Sequence, residues 1–404
     1  MKHSSMMGTT TTFSFLFFLL FISSAFGAQF KTVGYLTNWG NIATDAGKID
    51  YSIITHVNIA FINPSNSGTL SPTTNLSTAV QTIHNNNAKV LASLGGAGAT
   101  SAWATLMEAA NRDAFITKIV TFTKTWNLDG IDMDLEGSAI DGNYNDFVQA
   151  LSVELKKENK LLTAAVATWN GWDIYDATLA LFDFVNIMSY DQYGTWTGPG
   201  PHSTYEAAED DLYYWGVTRG LPKSKLVLGL PNYGYRWETG GNSSMTIKQI
   251  VGSYSRAIDQ DSINTTTNGV IYYNGIPTIK KKTELAIDKA SGTMWWTLQF
   301  DYPTTDSRSL IGAMNEVLTE KISVQNVENA GFSLYPNPAN DFLIFNMDNE
   351  KLVVLAFYDI SGKKILEYTL SQNQPVDISM LPQGIFTCMI SSDEKISAMK
   401  LVKQ

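Results

Sequence analysis

The sequence predicts an α/β fold, a (β/α)8 barrel of the TIM type, followed by a small C-terminal β-sandwich. Three observations carry that prediction. Eight short apolar runs recur between residues 31 and 301, and helix-patterned segments separate most of them. Eight is the number at which such strands close into a barrel. Beyond residue 320 the helical patterning gives way to short strand-like runs with Pro and Gly turns.

The runs are, in order, KTVGYLTNW from Lys31, THVNIAFI from Thr55, KVLASLGG from Lys89 and LDGIDMDLE from Leu128. LLTAAVATW from Leu161, FDFVNIMSYD from Phe182, KLVLGLPNYG from Lys225 and GTMWWTLQFD from Gly292 complete the set. Helices are expected between them, for example Trp103 to Thr125 and Asn145 to Lys157. A doubly wound open sheet is the competing arrangement, but no Gly-rich phosphate fingerprint follows the first run. The barrel is expected over residues 28–320 and a linker over 321–330. A β-sandwich module is expected over 331–404, with turns at Pro336-Asn337-Pro338, Ser361-Gly362 and Pro382-Gln383-Gly384.

Residues 1–27 read as a secretory signal peptide. Lys2 precedes the apolar run Phe13 to Ile22, and Ala25-Phe26-Gly27 is a small-x-small cleavage pattern. The run is too short for a spanning helix, which needs about 20 apolar residues. The chain of 404 residues carries a net charge of −10, which argues against a nucleic-acid partner but not against a neutral polymer. The single cysteine, Cys388, leaves an exported chain without an internal disulfide, so packing must supply stability. Asn75, Asn242 and Asn264 open N-x-Ser/Thr triplets that matter only where the host glycosylates.

The stretch DGIDMDLEG, Asp129 to Gly137, sets four acids among apolar residues. In a strand, alternate side chains share a face, so Asp132, Asp134 and Glu136 point one way and Ile131, Met133 and Leu135 the other. In a barrel one face packs on the helices and the other points inward, and Glu136, last in the row, reaches the C-terminal mouth where barrel active sites form. Three crowded carboxylates cannot all ionise cheaply, so protons are shared and one acid stays protonated near neutrality, as a general acid requires. A metal site is the bland alternative, but no His or Cys joins these acids in sequence. A solvated turn would not show such regular apolar interleaving.

DGIDMDLE resembles the D-x-x-D-x-D-x-E signature of glycoside hydrolase family 18, the chitinase family. Three further segments resemble family motifs in the expected order. They are S-x-G-G at Ser93 to Gly96, M-x-Y-D at Met188 to Asp191, and the M-x-W of the eighth strand at Met294 to Trp296. The resemblance spans roughly residues 30 to 315. It implies a substrate-assisted retaining mechanism without metal or cofactor. Glu136 would be the acid and then the base, Asp134 would orient the substrate amide, and Asp132 would share a proton with Asp134. Tyr190 would donate to the acetamido oxygen. Trp296 would floor the sugar site, with Tyr35, Asp191, Met188, Gly96, Trp39 and Tyr233 as further substrate-binding candidates. Ser93 and Asp129 would support the acid cluster structurally, Asp129 also reading as a turn cap before Gly130.

Trp103, Trp169, Trp172, Trp196, Tyr235 and Trp237 follow strand ends and are candidates for stacking on sugar rings or for core packing. Only about 60 residues separate the seventh and eighth strands, which leaves no room for the extra α+β insertion of some relatives and implies a shallower cleft. The seventh-strand end, YGYRW, leaves open whether Tyr235 or Arg236 contacts substrate. The resemblance also implies cis peptides at Ala60–Phe61 and Trp296–Thr297. The C-terminal segments YPNPAND, FYDISGKKI and ISMLPQGIF resemble the sorting domain of type IX secretion. The Trp-free module offers no aromatic platform for a carbohydrate-binding role.

The resemblance therefore implies a secreted or cell-surface, endo-acting chitinase on chitin or chitooligosaccharides, monomeric, with the secretion machinery as its partner. Alternatives are an endo-β-N-acetylglucosaminidase on the N-glycan core and a non-hydrolytic chitin-binding lectin. Lectin relatives usually lack the terminal glutamate, present here as Glu136.

Overall fold

The structure is a computed structural model that describes residues 30–404 apart from 100, 267, 329–331, 348–351, 360–363, 372–373 and 393–394. The expected signal peptide and the Ser361-Gly362 turn lie outside the described residues. The first seven strands are β1 (Lys31–Thr37), β2 (His56–Ala60), β3 (Lys89–Gly95), β4 (Gly130–Asp134), β5 (Leu161–Val166), β6 (Phe184–Ile187) and β7 (Leu226–Pro231). β8 (Tyr233–Trp237), β9 (Ser243–Thr246), β10 (Ser262–Asn264) and β11 (Val270–Tyr272) follow, and β12 (Gly292–Trp296) completes the N-terminal set. Strands β1 to β7 and β12 form a closed parallel barrel in the order β1-β12-β7-β6-β5-β4-β3-β2. All eight apolar runs therefore supply a barrel strand.

Alternation places two cores. Leu36, Ile131, Met133 and Leu135 point outward and join Phe115, Ile119 and Phe147 of the helix ring in one large apolar cluster. Val33, Tyr35, Ala60, Phe184, Val227 and Met294 point inward and form a smaller cluster inside the barrel. Burying each large side chain contributes about 1.5–3 kcal/mol, so the outward cluster dominates the stabilisation.

The structure refines three expectations. The helix expected over Trp103 to Thr125 is broken into Ala102–Met107 and Arg112–Thr125. Glu108 leaves helical geometry with ψ 147°. Asn111 Nδ2 and Arg112 Nε then donate to the carbonyls of Thr105 and Met107 at the helix end. The stretch expected as a linker, 321–330, is helical over most of its length, because the helix Leu310–Glu328 runs across it. No Pro or Gly falls between Gly312 and Gly331 to stop it.

The segment between the seventh and eighth barrel strands is also more structured than its length suggests. β8 to β11 form a four-stranded antiparallel sheet in the order β10-β11-β8-β9. A capping box formed by Thr246 and Gln249 starts the helix Ile247–Ser253 beside it. One face of this sheet carries Tyr233, Tyr235 and Trp237 against Tyr190, Trp296 and Phe300, so it walls one side of the barrel mouth.

The C-terminal strands are β13 (Phe332–Tyr335), β14 (Phe342–Met347), β15 (Val353–Tyr358), β16 (Lys364–Leu370), β17 (Gln374–Asp377), β18 (Gly384–Ser392) and β19 (Lys395–Lys403). They form two antiparallel sheets, β13-β14-β17 and β16-β15-β18-β19. Leu343 and Phe345 of one sheet pack with Leu355, Phe357 and Cys388 of the other. This is the expected small sandwich, and burial pushes the Cys388 thiol up to about 12, so it stays protonated at neutral pH.

Trp103 is 1% exposed and packs edge-on against Phe115 and Phe147, which places it in the core and not among the sugar-stacking rings. The Trp103→Ala variant is expected to lose about 3–5 kcal/mol of stability, measured by urea unfolding.

Candidate active site

The site begins at the barrel floor with Asp132. Its position on β4 is in register with Ser93 of β3 and Thr163 of β5. One carboxylate oxygen accepts from Tyr35 Oη at 2.7 Å and Ser93 Oγ at 2.8 Å. The other accepts from Thr163 Oγ1 at 2.6 Å and Asn186 Nδ2 at 3.2 Å. Burial raises the Asp132 pKa and the four donors pull it back. Four hydrogen bonds to two oxygens suit the carboxylate form, because an ionised carboxylate is acceptor-only.

Asp134 lies two residues nearer the mouth, buried, and its Oδ1 has no hydrogen-bond partner among the described residues. Burial first, then the charges of Glu136 and Asp132, hold its pKa well above the carboxylate range. Glu136 follows, half-buried, and burial together with the charge of Asp191 raises it to about 7. The three acids thus form a series from a donor-saturated floor to a protonated rim. The like-charge crowding read from the sequence contributes at Asp134, and burial is the largest cause at all three positions.

The glycines explain why β4 can sit so close to β3. A Cβ on Gly95 would lie 2.2 Å from the Asp134 carbonyl oxygen, and its φ is +121°. Gly96 N donates to that same carbonyl at 2.6 Å. Asn63 clamps Gly95 from the other side through its amide, with bonds of 2.7 and 2.8 Å. Gly96, with φ +81°, lies under the Phe61 ring.

Around the acids, Tyr190 sets its hydroxyl 3.8 Å from Met294 Sδ and its ring edge-on to Tyr233. Trp296 stacks on Phe61 at 5.6 Å and meets Tyr35 and Trp39. Met188 packs into the inner cluster beside Tyr190 and Trp296. Asp191, exposed and in left-handed geometry with φ 67°, accepts from Tyr233 Oη at 2.5 Å and Tyr235 Oη at 3.0 Å. The peptides Ala60–Phe61 and Trp296–Thr297 are both cis.

Several residues have roles other than those expected. Tyr35 is 1% exposed, and it serves Asp132 through its hydroxyl without facing the cleft. Tyr233, Tyr235 and Trp237 are buried in the wall sheet. Tyr235 holds Asp191, while Arg236 pairs with Glu238 at 3.2 Å. Asp129 does not join the acid cluster. It sits at the opposite end of β4 and binds Val90 N, His84 and Lys89, tying the barrel bottom to the helix Leu76–Asn85. Trp39, Trp169, Trp172 and Trp196 remain exposed beyond strand ends, by 68, 62, 66 and 64%. Trp169 also lies against Gly137, directly after Glu136. Among the described residues no group of three or more His, Cys, Asp or Glu side chains is placed to hold a metal.

Sequence reasoning missed Thr163 and Asn186 as donors, together with Asn63 and His202. A signal for the first two was present. Each is a lone polar residue within an otherwise apolar strand, LLTAAV and FVNI.

A closed barrel with a graded row of carboxylates at its C-terminal mouth and aromatic walls defines the class of barrel glycosidases. The model for glycosyl hydrolases family 18 matches residues 31–319, and the chain belongs to that family. Residues 333–404 match the secretion system C-terminal sorting domain. Among solved structures, the chain is similar to the family 18 chitinase ChiB from the chitin utilization locus of Flavobacterium johnsoniae. The two are 32% identical with a TM-score of 0.67, covering 73% of this chain and 95% of that one. A chitinase from Bacteroides thetaiotaomicron is 28% identical with a TM-score of 0.64, covering 72% and 97% of the two chains. Endochitinase 1 of Metarhizium anisopliae is 27% identical over 377 residues, 75% of this chain and 88% of the relative.

The raised Asp134 pKa has a consequence for stability. The folded protein holds this proton more tightly than the unfolded chain, so stability falls as pH rises from the ordinary value of 3.8 towards the raised one. Asp134→Asn removes that loss. Its melting temperature is expected to match wild type below about pH 3.8 and exceed it by about 2 °C or more at neutral pH, as read by calorimetry.

Proposed function

We propose that this chain is a secreted, endo-acting chitinase that hydrolyses β-1,4-linked N-acetylglucosamine polymers with retention of configuration. The observation that carries the reading is Glu136, a half-buried acid raised to about 7, at the end of a buried carboxylate row facing the Tyr190–Trp296 floor. The named relatives, two chitinases and an endochitinase, support the substrate class.

Glu136 protonates the glycosidic oxygen as the bond breaks. The carbonyl oxygen of the substrate's own 2-acetamido group attacks the anomeric carbon and gives an oxazolinium intermediate. Asp134 accepts from the amide N–H and offsets the positive charge, and the proton it holds in the free site is shared with Asp132, whose carboxylate is held by four donors. Tyr190 donates to the acetamido oxygen. Glu136, now ionised, takes a proton from the incoming water as the intermediate opens. Trp296 floors the ring, and the exposed Trp39, Trp169, Trp172 and Trp196 extend the path for further sugars. The C-terminal module routes the barrel through type IX export to the cell surface or the medium.

Glu136→Gln is expected to lower kcat on chitooligosaccharides by about 10²–10⁴ while leaving their binding intact. Undiminished hydrolysis by that variant overturns the acid assignment. Wild type is expected to release the β-anomer first, read by proton NMR. Cleavage of a high-mannose glycoprotein in preference to chitooligosaccharides would move the substrate to the N-glycan core.

A further inference from the structure

His202 takes no part in the mechanism above, yet it stands directly behind Asp191. Its side chain is fully buried. Nε2 lies 3.2 Å from the carbonyl oxygen of Tyr233. A carbonyl only accepts, so Nε2 carries a proton. That leaves Nδ1 with a lone pair in the neutral ring. Nδ1 is 3.5 Å from Asp191 Oδ1 and has no hydrogen-bond partner among the described residues. Two acceptors face each other across a gap slightly too long for a hydrogen bond.

The ring cannot swing away to relieve this. It packs against Tyr233 at 5.0 Å and Tyr235 at 5.3 Å between centroids. The next residue, Ser203, donates to the Ser189 carbonyl at 2.7 Å. The buried Lys282, on the helix Ile276–Lys289, donates to Ser203 O, Ser203 Oγ and Asn274 Oδ1 at 2.9, 2.7 and 3.0 Å. The His202–Ser203 pair is therefore pinned against both flanks of the Tyr190–Asp191 segment.

We propose that His202 is a positioning residue for the reaction: its unpartnered Nδ1 takes up a proton, turns the contact with Asp191 into a hydrogen-bonded ion pair, and so withdraws the charge of Asp191 from Glu136. The proton comes from water through the exposed carboxylate of Asp191, and no other bond changes. The charged and titratable groups facing the ring are Asp191, the Tyr233 and Tyr235 hydroxyls that share its Oδ1, and Lys282 behind Ser203, with Glu136 beyond Asp191. Burial pulls the ring's pKa below its ordinary value and Lys282 adds to that, while Asp191 and the Tyr233 carbonyl oppose it. The uptake therefore belongs to the acidic range and is lost as pH rises. In the protonated state Glu136 holds its own proton less tightly and is the stronger acid.

The inference rests on the reading of Glu136 as the acid, and two measurements on the full chain separate the two. The first is a pH titration of the histidine-selectively ¹⁵N-labelled protein, with the His202 signals identified by their loss in His202→Gln. Nδ1 is expected to protonate as pH falls below neutrality, and Asp191→Asn is expected to move that uptake down by about one pH unit. An Nδ1 that stays unprotonated to pH 4, or an uptake indifferent to Asp191→Asn, overturns the proposal. The second is kinetic. The ratio of wild-type to His202→Gln kcat is expected to rise about threefold or more between pH 7.5 and 5. A ratio independent of pH marks His202 as merely structural and overturns it. If His202→Gln does not fold, the Asp191→Asn titration decides alone, with the His202 signals then assigned by elimination from His3, His56 and His84 variants. Failure of the Glu136 reading shows separately, as retained hydrolysis by Glu136→Gln.

Discussion

The site depends on the burial of one carboxylate, that of Asp132, beneath donors from four other strands. An unpaired buried charge costs several kcal/mol, and a hydrogen bond to a charged group returns about 1.5–3 kcal/mol. Tyr35 of β1, Ser93 of β3, Thr163 of β5 and Asn186 of β6 together can offset that cost. They meet only because the barrel closes, so the charge and the closure support each other. With Asp132 held in this way, Asp134 loses the freedom to ionise cheaply, and at the rim burial and the charge of Asp191 do the same to Glu136.

The electrostatic series is therefore a series in solvation. Asp132 is buried and saturated with donors, Asp134 is buried with one oxygen unpartnered among the described residues, and Glu136 is half-open at the rim with Asp191 nearby. The same residue types take different roles through position alone. Tyr35, Tyr233 and Tyr235 look alike in sequence, yet the first serves Asp132 and the other two converge on one oxygen of Asp191. Tryptophans divide likewise: Trp103 and Trp215 are core, whereas Trp39, Trp169, Trp172 and Trp196 stand in solvent at the catalytic end.

Much of this was legible because the relevant forces are local. Short apolar runs announce buried strands, here of four to seven residues, and all eight barrel strands could be read that way. The acid row was legible for the same reason, since alternation alone puts Asp132, Asp134 and Glu136 on one side. What escaped was set by partners distant in sequence. The wall sheet β8 to β11 is built from strands of three to five residues, too short to show a period. The helix across 321–328 escaped because polar residues there read as a linker, although nothing in the stretch breaks a helix. Asp129 escaped because a shared motif suggested a shared place, whereas it lies at the far end of the strand.

The sequence by itself determined the barrel, the sandwich module and the side of β4 on which the carboxylates lie, because each follows from the periodicity of neighbouring residues. Only the tertiary structure decided which acid is satisfied and which is left to hold a proton. It also decided which aromatic rings face solvent, and that His202 should stand behind Asp191. Those outcomes depend on distances between residues tens to hundreds of positions apart, and periodicity carries no information about them.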